Sequence, residues 1–513
     1  MPSPQAQQQQ HQPRDIVIIG GGLIGVSTAY YLSRHPDLHP ESKITLVEQD
    51  NVGTGSSGYA SGLSIKGKDA LSAEGFDLHR ELSRNHGGNL KWGYKEIDLY
   101  SSPSHPALSS STSMSTSTTT TIPFLPSIPV VQHRSQTAIC QPSDLTRHLC
   151  GLFLTHPGAS LVIARATSCV FEDEDPSFSK EGQGVGGGLM EKLENHTPCV
   201  EKIAQFFTGG SGRSEGKEGA EDREKSMKVT NEKSDPSDIP DATWTNNEKS
   251  DSGRSRKPSS PSGSPNSSRR GRRVKGLNVV RVINGVEEIV HLKADDIVLS
   301  PGIELPQLSK ILFGQHVNLN MNVGIQEWEG VVLKPREKVK PLAVRLDLRP
   351  ESKSNSGTDL ELAKGNTDIE EAGKNGMGKG IEMVVRDDGK VVISRPRSQR
   401  DSSISTSPSR SPSHDIYASN VESTSLLGII ESLSPRFKAS NGTLVLSKST
   451  WSTPIISGDS PLFGKFPDRD HDQDRGRGSG DGVEGVWYGI GGKTVQAPAI
   501  GSKLASRIMA QYS

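Results

Sequence analysis

This chain is short of the residues that build cores. Hydrophobic types make up 32% of its 513 residues and aromatics 5%, against a globular norm of about 45% apolar. Length alone would suggest about three domains, but the deficit is local. Residues 102–121 are dominated by Ser and Thr, residues 207–272 by Ser, Gly, Lys, Glu and Asp, and residues 351–378 and 396–415 by polar types. Such segments bury too little apolar surface to offset chain entropy, so they are expected to be disordered surface insertions in one discontinuous folded unit.

Other scarcities exclude whole classes. The four cysteines, Cys140, Cys150, Cys169 and Cys199, form no CxxC pair and have no metal spacing with histidine, which points to reduced thiols rather than a disulfide framework. No apolar run approaches the roughly 20 residues of a membrane span. The Gln-rich start, Met1 to Arg14, has no signal-peptide core, and the end, Gln511-Tyr512-Ser513, is not the peroxisomal Ser-Lys-Leu. Cytoplasm is the expected compartment. With 59 Lys and Arg against 60 Asp and Glu, no global field recruits a polyanion. The basic stretch Arg254 to Lys275, with Arg269, Arg270, Arg272 and Arg273, admits a nucleic-acid or nuclear-import reading. It has no interleaved aromatics for base stacking, so a solvated stretch in a Ser-rich insertion is expected there, with serines open to phosphorylation. The insertions also offer surfaces to protein partners.

What the chain does have is concentrated at residues 15–48. Asp15 to Ile19 is a β-prone apolar run, Gly20, Gly22 and Gly25 form G-x-G-x-x-G, Val26 to Leu32 continues as a helix, and Ile44 to Val47 is a second strand ending in Glu48. Gly20 permits the tight strand-to-helix turn, Gly22 lets backbone approach a pyrophosphate, and Gly25 lets the helix pack closely on the strand. The helix N-terminus faces the phosphates with free N–H groups, and Glu48 is placed to accept two ribose hydroxyls. A glycine fingerprint alone would be weak; the flanking strand, helix and acidic residue make this a dinucleotide site within an α/β fold.

The stretch Val52 to Ser64 then selects the dinucleotide. It is a loop of small residues that approaches a ligand through backbone, with Ser56, Ser57 and Ser61 offering hydroxyls. A nicotinamide cofactor needs no such loop here. A flavin does, because its pyrophosphate and ring run onward from the adenosine.

On these residues the chain resembles FAD-dependent oxidoreductases of the D-amino-acid oxidase superfamily, which includes glycine oxidase and sarcosine oxidase. The matching pieces are DIVIIGGGLIGVSTAYYL from Asp15, ITLVEQD from Ile44, GSSGYASG from Gly55, ADDIVLSPGIELPQL from Ala294, TPIISGDSPLFGKFP from Thr453 and APAIGSKLASRI from Ala497. Together they cover about three hundred residues, and the fungal branch of oxidoreductases without assigned substrate is the most similar subgroup. The resemblance implies a Rossmann-type FAD-binding domain in pieces (14–66, 137–175, 273–305 and 451–513). A mainly antiparallel β substrate domain (67–136 and 306–450), a disordered tail (1–13) and a largely disordered insertion (176–272) complete the expected organisation. It adds Leu23, Ile24, Ala60, Gly62, Val170, Ser300, Gly302, Gly489, Ile490 and Gly491 as cofactor-binding positions. The implied reaction is oxidation of a C–N bond in an amino acid or secondary amine by hydride transfer to flavin N5, with no obligatory protein base.

Between these motifs, Gln141 to Phe153 is expected to be a helix capped by Ser143, with Leu145, Leu149 and Leu152 on one face. Ser160 to Val170 reads as a strand that, by the resemblance, approaches the adenine. Asn284-Gly285 joins the strands Val279–Ile283 and Val286–Leu292 in a hairpin, and Ala294 to Leu299 returns to the nucleotide sheet. Residues 322–348, 381–394 and 444–451 are β-rich.

Departures from the family pattern bear on the substrate. Its amino-acid oxidases carry an Arg-Pro near the start of the motif at Trp451 to Pro461; here Ser449-Thr450-Trp451-Ser452-Thr453-Pro454 has no arginine, and a bidentate guanidinium is the economical carboxylate anchor. The closing stretch from Gly485 lacks a histidine common among relatives, and no nearby cysteine could form a flavin thioether. His79, His86 and His148 read as surface or helix-face residues. Trp451 and Trp487 could cover the flavin or pack in the core. The competing reading is a catalytically degenerate flavoprotein with a regulatory or trafficking role; an NAD-linked dehydrogenase ranks third.

Overall fold

The computed structural model describes residues 12–102, 119–122, 124–133, 136–172, 272–314, 323–347, 380–397, 423–456, 460–466 and 483–512. In chain order the first elements are β1 (Asp15–Ile19), α1 (Leu23–Ser33), β2 (Lys43–Glu48), α2 (Ser56–Tyr59), β3 (Leu63–Ile65), α3 (Ala70–His86) and α4 (Gly88–Lys91). Then come β4 (Lys95–Glu96), β5 (Leu99–Ser101), β6 (Thr119–Ile122), β7 (Leu125–His133), β8 (Thr137–Ile139), α5 (Pro142–Phe153), β9 (Ala159–Ile163) and β10 (Arg165–Phe171). The strands β11 (Arg272–Ile283), β12 (Val286–Lys293) and β13 (Asp296–Leu299) lead to α6 (Leu305–Phe313), β14 (Val323–Lys334), β15 (Leu342–Asp347), β16 (Gly380–Val385) and β17 (Val391–Pro396). The chain closes with α7 (Ser423–Leu433), β18 (Leu444–Ile456), β19 (Leu462–Lys465), β20 (Val483–Glu484), β21 (Val486–Ile490) and α8 (Ala497–Ala510).

A six-stranded sheet in the order β19-β21-β13-β1-β2-β9 carries the nucleotide end, parallel except where β19 runs against β21. Its strands are apolar on both faces because both are covered. Ile16 and Ile18 of β1 face a layer that includes Val26 of α1, Leu149 of α5 and Leu504 of α8. Val17 and Ile19 face the opposite layer, with Leu277 and Val279 of β11 and Leu312 of α6. That second layer combines α6 with the four-stranded sheet in which β10, β11 and β12 run antiparallel and β20 pairs β11 in parallel. Its hairpin turns at Asn284 and Gly285, both with positive φ, as the Asn-Gly pair requires.

An eight-stranded sheet, β18-β14-β17-β16-β15-β5-β7-β6, is antiparallel except where β15 pairs β5. Alternation along its strands sorts side chains to two faces. Ile381, Met383 and Val385 of β16 and Leu342, Val344 and Leu346 of β15 pack with Leu426 and Ile430 of α7. The intervening Val384 and Ala343 pack instead with Leu63 of β3, Leu99 of β5 and Ile139 of β8. This second face therefore lies against the segment that follows the glycine motif. The small sheet β3-β8-β4 joins the two regions.

Several expectations shift at their edges. The helix expected to be capped by Ser143 starts at Pro142 with Gln141 at the cap position and no side-chain cap; proline's fixed φ suits the first helical residue. The strand expected over 160–170 is two strands separated by Ala164, because β9 pairs β2 in the parallel sheet while β10 pairs β11 in the antiparallel one. Of the segments expected to be disordered, residues 119–121 join β6, Arg272 joins β11 and Pro396 ends β17. Arg273 and Lys275 of the basic stretch are likewise strand residues, Lys275 pairing Glu172 at 3.1 Å. The rest of that stretch, most of the four insertions and Cys199 lie outside the described residues. The other three cysteines are free and buried, and burial pushes the thiols of Cys140 and Cys150 up to about 12.

His86, at the end of α3, shares a hydrogen bond of 3.0 Å with the Tyr30 hydroxyl, and its ring centroid is 5.9 Å from that of His148 on α5. Burial, then the nearby charges of Lys91 and His86, hold His148 down at about 4 from an ordinary 6.5. A histidine whose folded pKa is depressed favours the folded state above its unfolded pKa. That contribution is lost as pH falls. Urea unfolding should therefore show stability declining from pH 6.5 to pH 4, and His148→Gln should flatten that decline relative to wild type. Identical pH profiles for the two proteins would remove His148 from the linkage.

Candidate functional site

The site is assembled where β1 ends. Gly20 has φ +110°, and a Cβ there would stand 2.4 Å from the Ser300 carbonyl oxygen. A Cβ on Gly25 would stand 2.1 Å from the Gly20 carbonyl oxygen. Both glycines are thus required by the protein's own packing. Gly22 differs: its φ of −74° and ψ of 176° suit any residue, and its nearest Cβ neighbour would be Ser57 Oγ at 3.6 Å. Its missing side chain serves no internal contact. The unfilled cradle at the N-terminus of α1 fits a ligand that approaches the backbone closely, as a pyrophosphate does.

Around that cradle, Ser57 Oγ accepts the Leu23 N–H at 3.1 Å. Glu48 Oε2 accepts the Gly21 N–H at 2.5 Å and its Oε1 the Asp50 N–H at 3.1 Å. Burial raises the Glu48 carboxyl above the usual range, opposed by these backbone donors. Ser300 donates its hydroxyl to the Ile19 carbonyl at 3.1 Å, and Gly302 has φ +66°. Gly21 escaped the sequence reading as a functional position; its N–H orients the acid. The Ala164 N–H bonds the Glu48 carbonyl at 2.8 Å, so the β9–β10 junction adjoins Glu48, while Val170 pairs Gly276 farther along β10.

The small-residue loop links this cradle to the large sheet. Ser56 donates to the Ser452 carbonyl of β18 at 2.7 Å. Ala60 ends α2 in an extended conformation. Ser61 donates its hydroxyl to Glu382 of β16, and Gly62, at φ +77°, would drive a Cβ to 1.9 Å from the Cys140 carbonyl oxygen. Glu382 also accepts from Arg345 Nη2 at 3.0 Å. Tyr59 stacks on Trp451 with centroids 6.3 Å apart, and Trp451 on Trp328 at 6.2 Å. Trp451 therefore belongs to an aromatic wall beside the loop. Trp487 does not: it is buried, and its Nε1 donates to Asp296 at 3.1 Å. Glu382, Arg345, Trp328 and Tyr59 were missed in the sequence. For the first two, a charge within an otherwise apolar strand was the available signal.

Other expected positions have packing roles. A Cβ on Gly489 would reach 2.9 Å from Leu504 Cδ1, and one on Gly491 2.4 Å from Ile456 Cδ1. Ile490 is fully buried, and Ile24 adjoins Gly489. His79 is buried rather than superficial, sharing a 3.0 Å hydrogen bond with the Thr494 carbonyl, and burial lowers its pKa.

Fold and site together define an α/β protein in which a largely parallel sheet ends in a glycine-lined cradle and a second, largely antiparallel sheet lies beside the loop that leaves it. Residues 15–102, the segment that forms this cradle, match the FAD dependent oxidoreductase family, whose cofactor is FAD. A Schizosaccharomyces pombe protein named "Putative oxidoreductase C1F5.03c" is 42% identical over 94 residues, 17% of this chain and 25% of that protein. "Putative oxidoreductase TDA3" of Saccharomyces cerevisiae is 40% identical over 91 residues, 17% of each chain. These matches thus span a quarter or less of the relatives' length. In structure the chain is similar to glycine oxidase from Bacillus cereus, with a TM-score of 0.53 at 12% identity, covering 98% of this chain and 96% of the other. It is also similar to iminodiacetate oxidase from Chelativorans, with a TM-score of 0.51 at 12% identity, covering 96% and 95%. At such identities the shared feature is the fold, which accords with the expected Rossmann-type α/β architecture and its largely antiparallel second sheet. Among the described residues no helix is long and apolar enough to cross a membrane.

The glycines give a sharp test. Gly22→Ala should leave the thermal midpoint of the cofactor-free protein within a few degrees while weakening FAD binding at least about tenfold, since Cβ meets only ligand space. Gly25→Ala should lower that midpoint markedly. Equal loss of stability in both variants would show that Gly22 is structural. Separately, Glu48→Ala should weaken FAD affinity about ten- to a hundredfold, the scale of a charge-assisted hydrogen bond to ribose. Flavin-fluorescence titration measures it, and unchanged affinity would remove Glu48 from the site.

Proposed function

We propose that this protein is an FAD-dependent oxidoreductase that oxidises a C–N bond in an amine or amino acid, with FAD held across the cradle by Gly22, Leu23, Ser57 and Glu48. The observation that carries this reading is the loop 56–62, which leaves the nucleotide cradle and is bonded directly to a polar and aromatic face of the large sheet. FAD, when bound, supplies the hydride acceptor. The protein's share is positional. The Ser57 hydroxyl, whose oxygen is held by the Leu23 N–H, would donate to the pyrophosphate, and Glu48 would take the ribose hydroxyls. Trp328 and Trp451 exclude water from one side of the substrate, which orients a neutral amine with its C–H toward the acceptor. The structural relatives named for oxidation of glycine and iminodiacetate favour a C–N substrate.

The expected outcome is that the FAD-loaded protein, mixed without oxygen with a panel of amino acids and secondary amines, loses its oxidised-flavin absorbance with at least one of them. Retention of that absorbance across the panel, with FAD tightly bound, would instead favour the degenerate flavoprotein.

A further inference from the structure

The face of the large sheet that meets the cofactor loop carries a polar row. In register across five adjacent strands from the β18 edge stand Ser449, Gly330, Ser394, Glu382 and Arg345. Alternation fixes their face: Ala343 and Val384, two residues away on β15 and β16, pack with Leu63 of the cofactor loop region, while Val344 and Met383 pack on the α7 side. Arg345 is the one basic side chain in this row. Its side chain is 30% exposed, so it is reachable without being freely solvated. Among the described residues the guanidinium has a single hydrogen-bonded partner, Glu382, met by Nη2 alone at 3.0 Å. Of its five N–H donors, the others meet no acceptor among the described residues. Glu382 is itself held through its other oxygen by the Ser61 hydroxyl. The guanidinium is therefore oriented from behind by a carboxylate that is tied to the cofactor loop.

An arginine oriented by one acid and open on its remaining donors is suited to a planar anion, which it can meet with paired N–H groups. Its net charge is offset by Glu382, so recognition would depend on donor geometry more than on field. On β18, where the family resemblance leads one to expect an arginine, residues 449–454 offer none. We infer that Arg345 is the specificity-determining residue that binds a carboxylate group of the substrate, with Glu382 as its positioning residue. This rests on the oxidoreductase reading above.

The test uses the full-length, FAD-loaded protein and two probes of similar shape and opposite charge, phenylacetate and phenyltrimethylammonium, titrated by calorimetry. Phenylacetate should bind, and Arg345→Gln should weaken it about tenfold or more. Arg345→Lys should recover only part of that affinity, because an ammonium cannot make the paired contact. Glu382→Gln, which keeps the arginine charged but loosens its orientation, should weaken phenylacetate several-fold. Flavin content, measured on every variant, should stay at wild-type levels. Binding of phenyltrimethylammonium in place of phenylacetate, no phenylacetate binding, an unchanged affinity in Arg345→Gln, or loss of flavin from Arg345→Lys would each overturn the assignment. Failure of the wild-type protein to take up FAD would sink the oxidoreductase reading itself; flavin content is read before any titration, which separates that result from a flavin-loaded protein that does not bind phenylacetate.

Discussion

The nucleotide end depends on how closely the backbone after β1 passes the backbone after β13. Gly20 and Ser300 are in such contact that no side chain fits at Gly20, and the Ser300 N–H and hydroxyl both bond the Ile19 carbonyl. This pinch sends the chain from β1 into α1 within three residues. It sets the helix N-terminus over the strand ends, where the Leu23 N–H meets Ser57. Because β1 also pairs β2 in parallel register, the same geometry brings Glu48 under Gly21. A wider crossing at Gly20 would displace the helix end, the acid and the loop anchored on Ser57 together.

The second constraint is the two-sided burial of the large sheet. Apolar residues of β15 and β16 are spent on α7 from one face and on Leu63, Leu99 and Ile139 from the other. A charged pair inserted into that second face carries a desolvation cost, and such a pair is weak grounds for stability because apolar residues of similar volume often do as well. Arg345 and Glu382 are only partly exposed, at 30% and 19%. Their hydrogen bonds to each other and to Ser61 offset part of that cost. What remains is better explained by work on a ligand than by support of the fold.

Legibility followed the range of the interactions. The segment 15–48 was readable because each of its constraints is local: a strand run, glycines at fixed offsets and an acid at a strand end. The hairpin at Asn284-Gly285 was readable for the same reason, since two consecutive positive φ values leave few residue choices. The cap of α5 was misjudged by two residues, Ser143 for Gln141, because Ser143 and Pro142 both carry N-terminal signals and the fixed proline φ prevailed. The break at Ala164 was invisible because it arises from which sheet each half joins, a non-local choice. Glu382, Arg345 and Trp328 were missed for the same reason. They are separated from Ser61 and Tyr59 by hundreds of residues and meet them only through sheet register.

Register also explains why the motif at 449–454 says less about the substrate than its missing arginine suggested. Along β18, Ser449 and Trp451 share the face of Gly330 and Trp328, whereas Thr450 pairs with Glu329 on the other face. There Glu329 is buried and already bonded to Arg395. On the side that meets the loop 56–62, Trp451 fits only because Gly330, diagonally across from it on β14, has no side chain: a Cβ there would stand 2.7 Å from the indole. The bulk of that tryptophan closes the β18 edge of the face. Polar recognition is thereby left to the interior strands, where Glu382 and Arg345 stand.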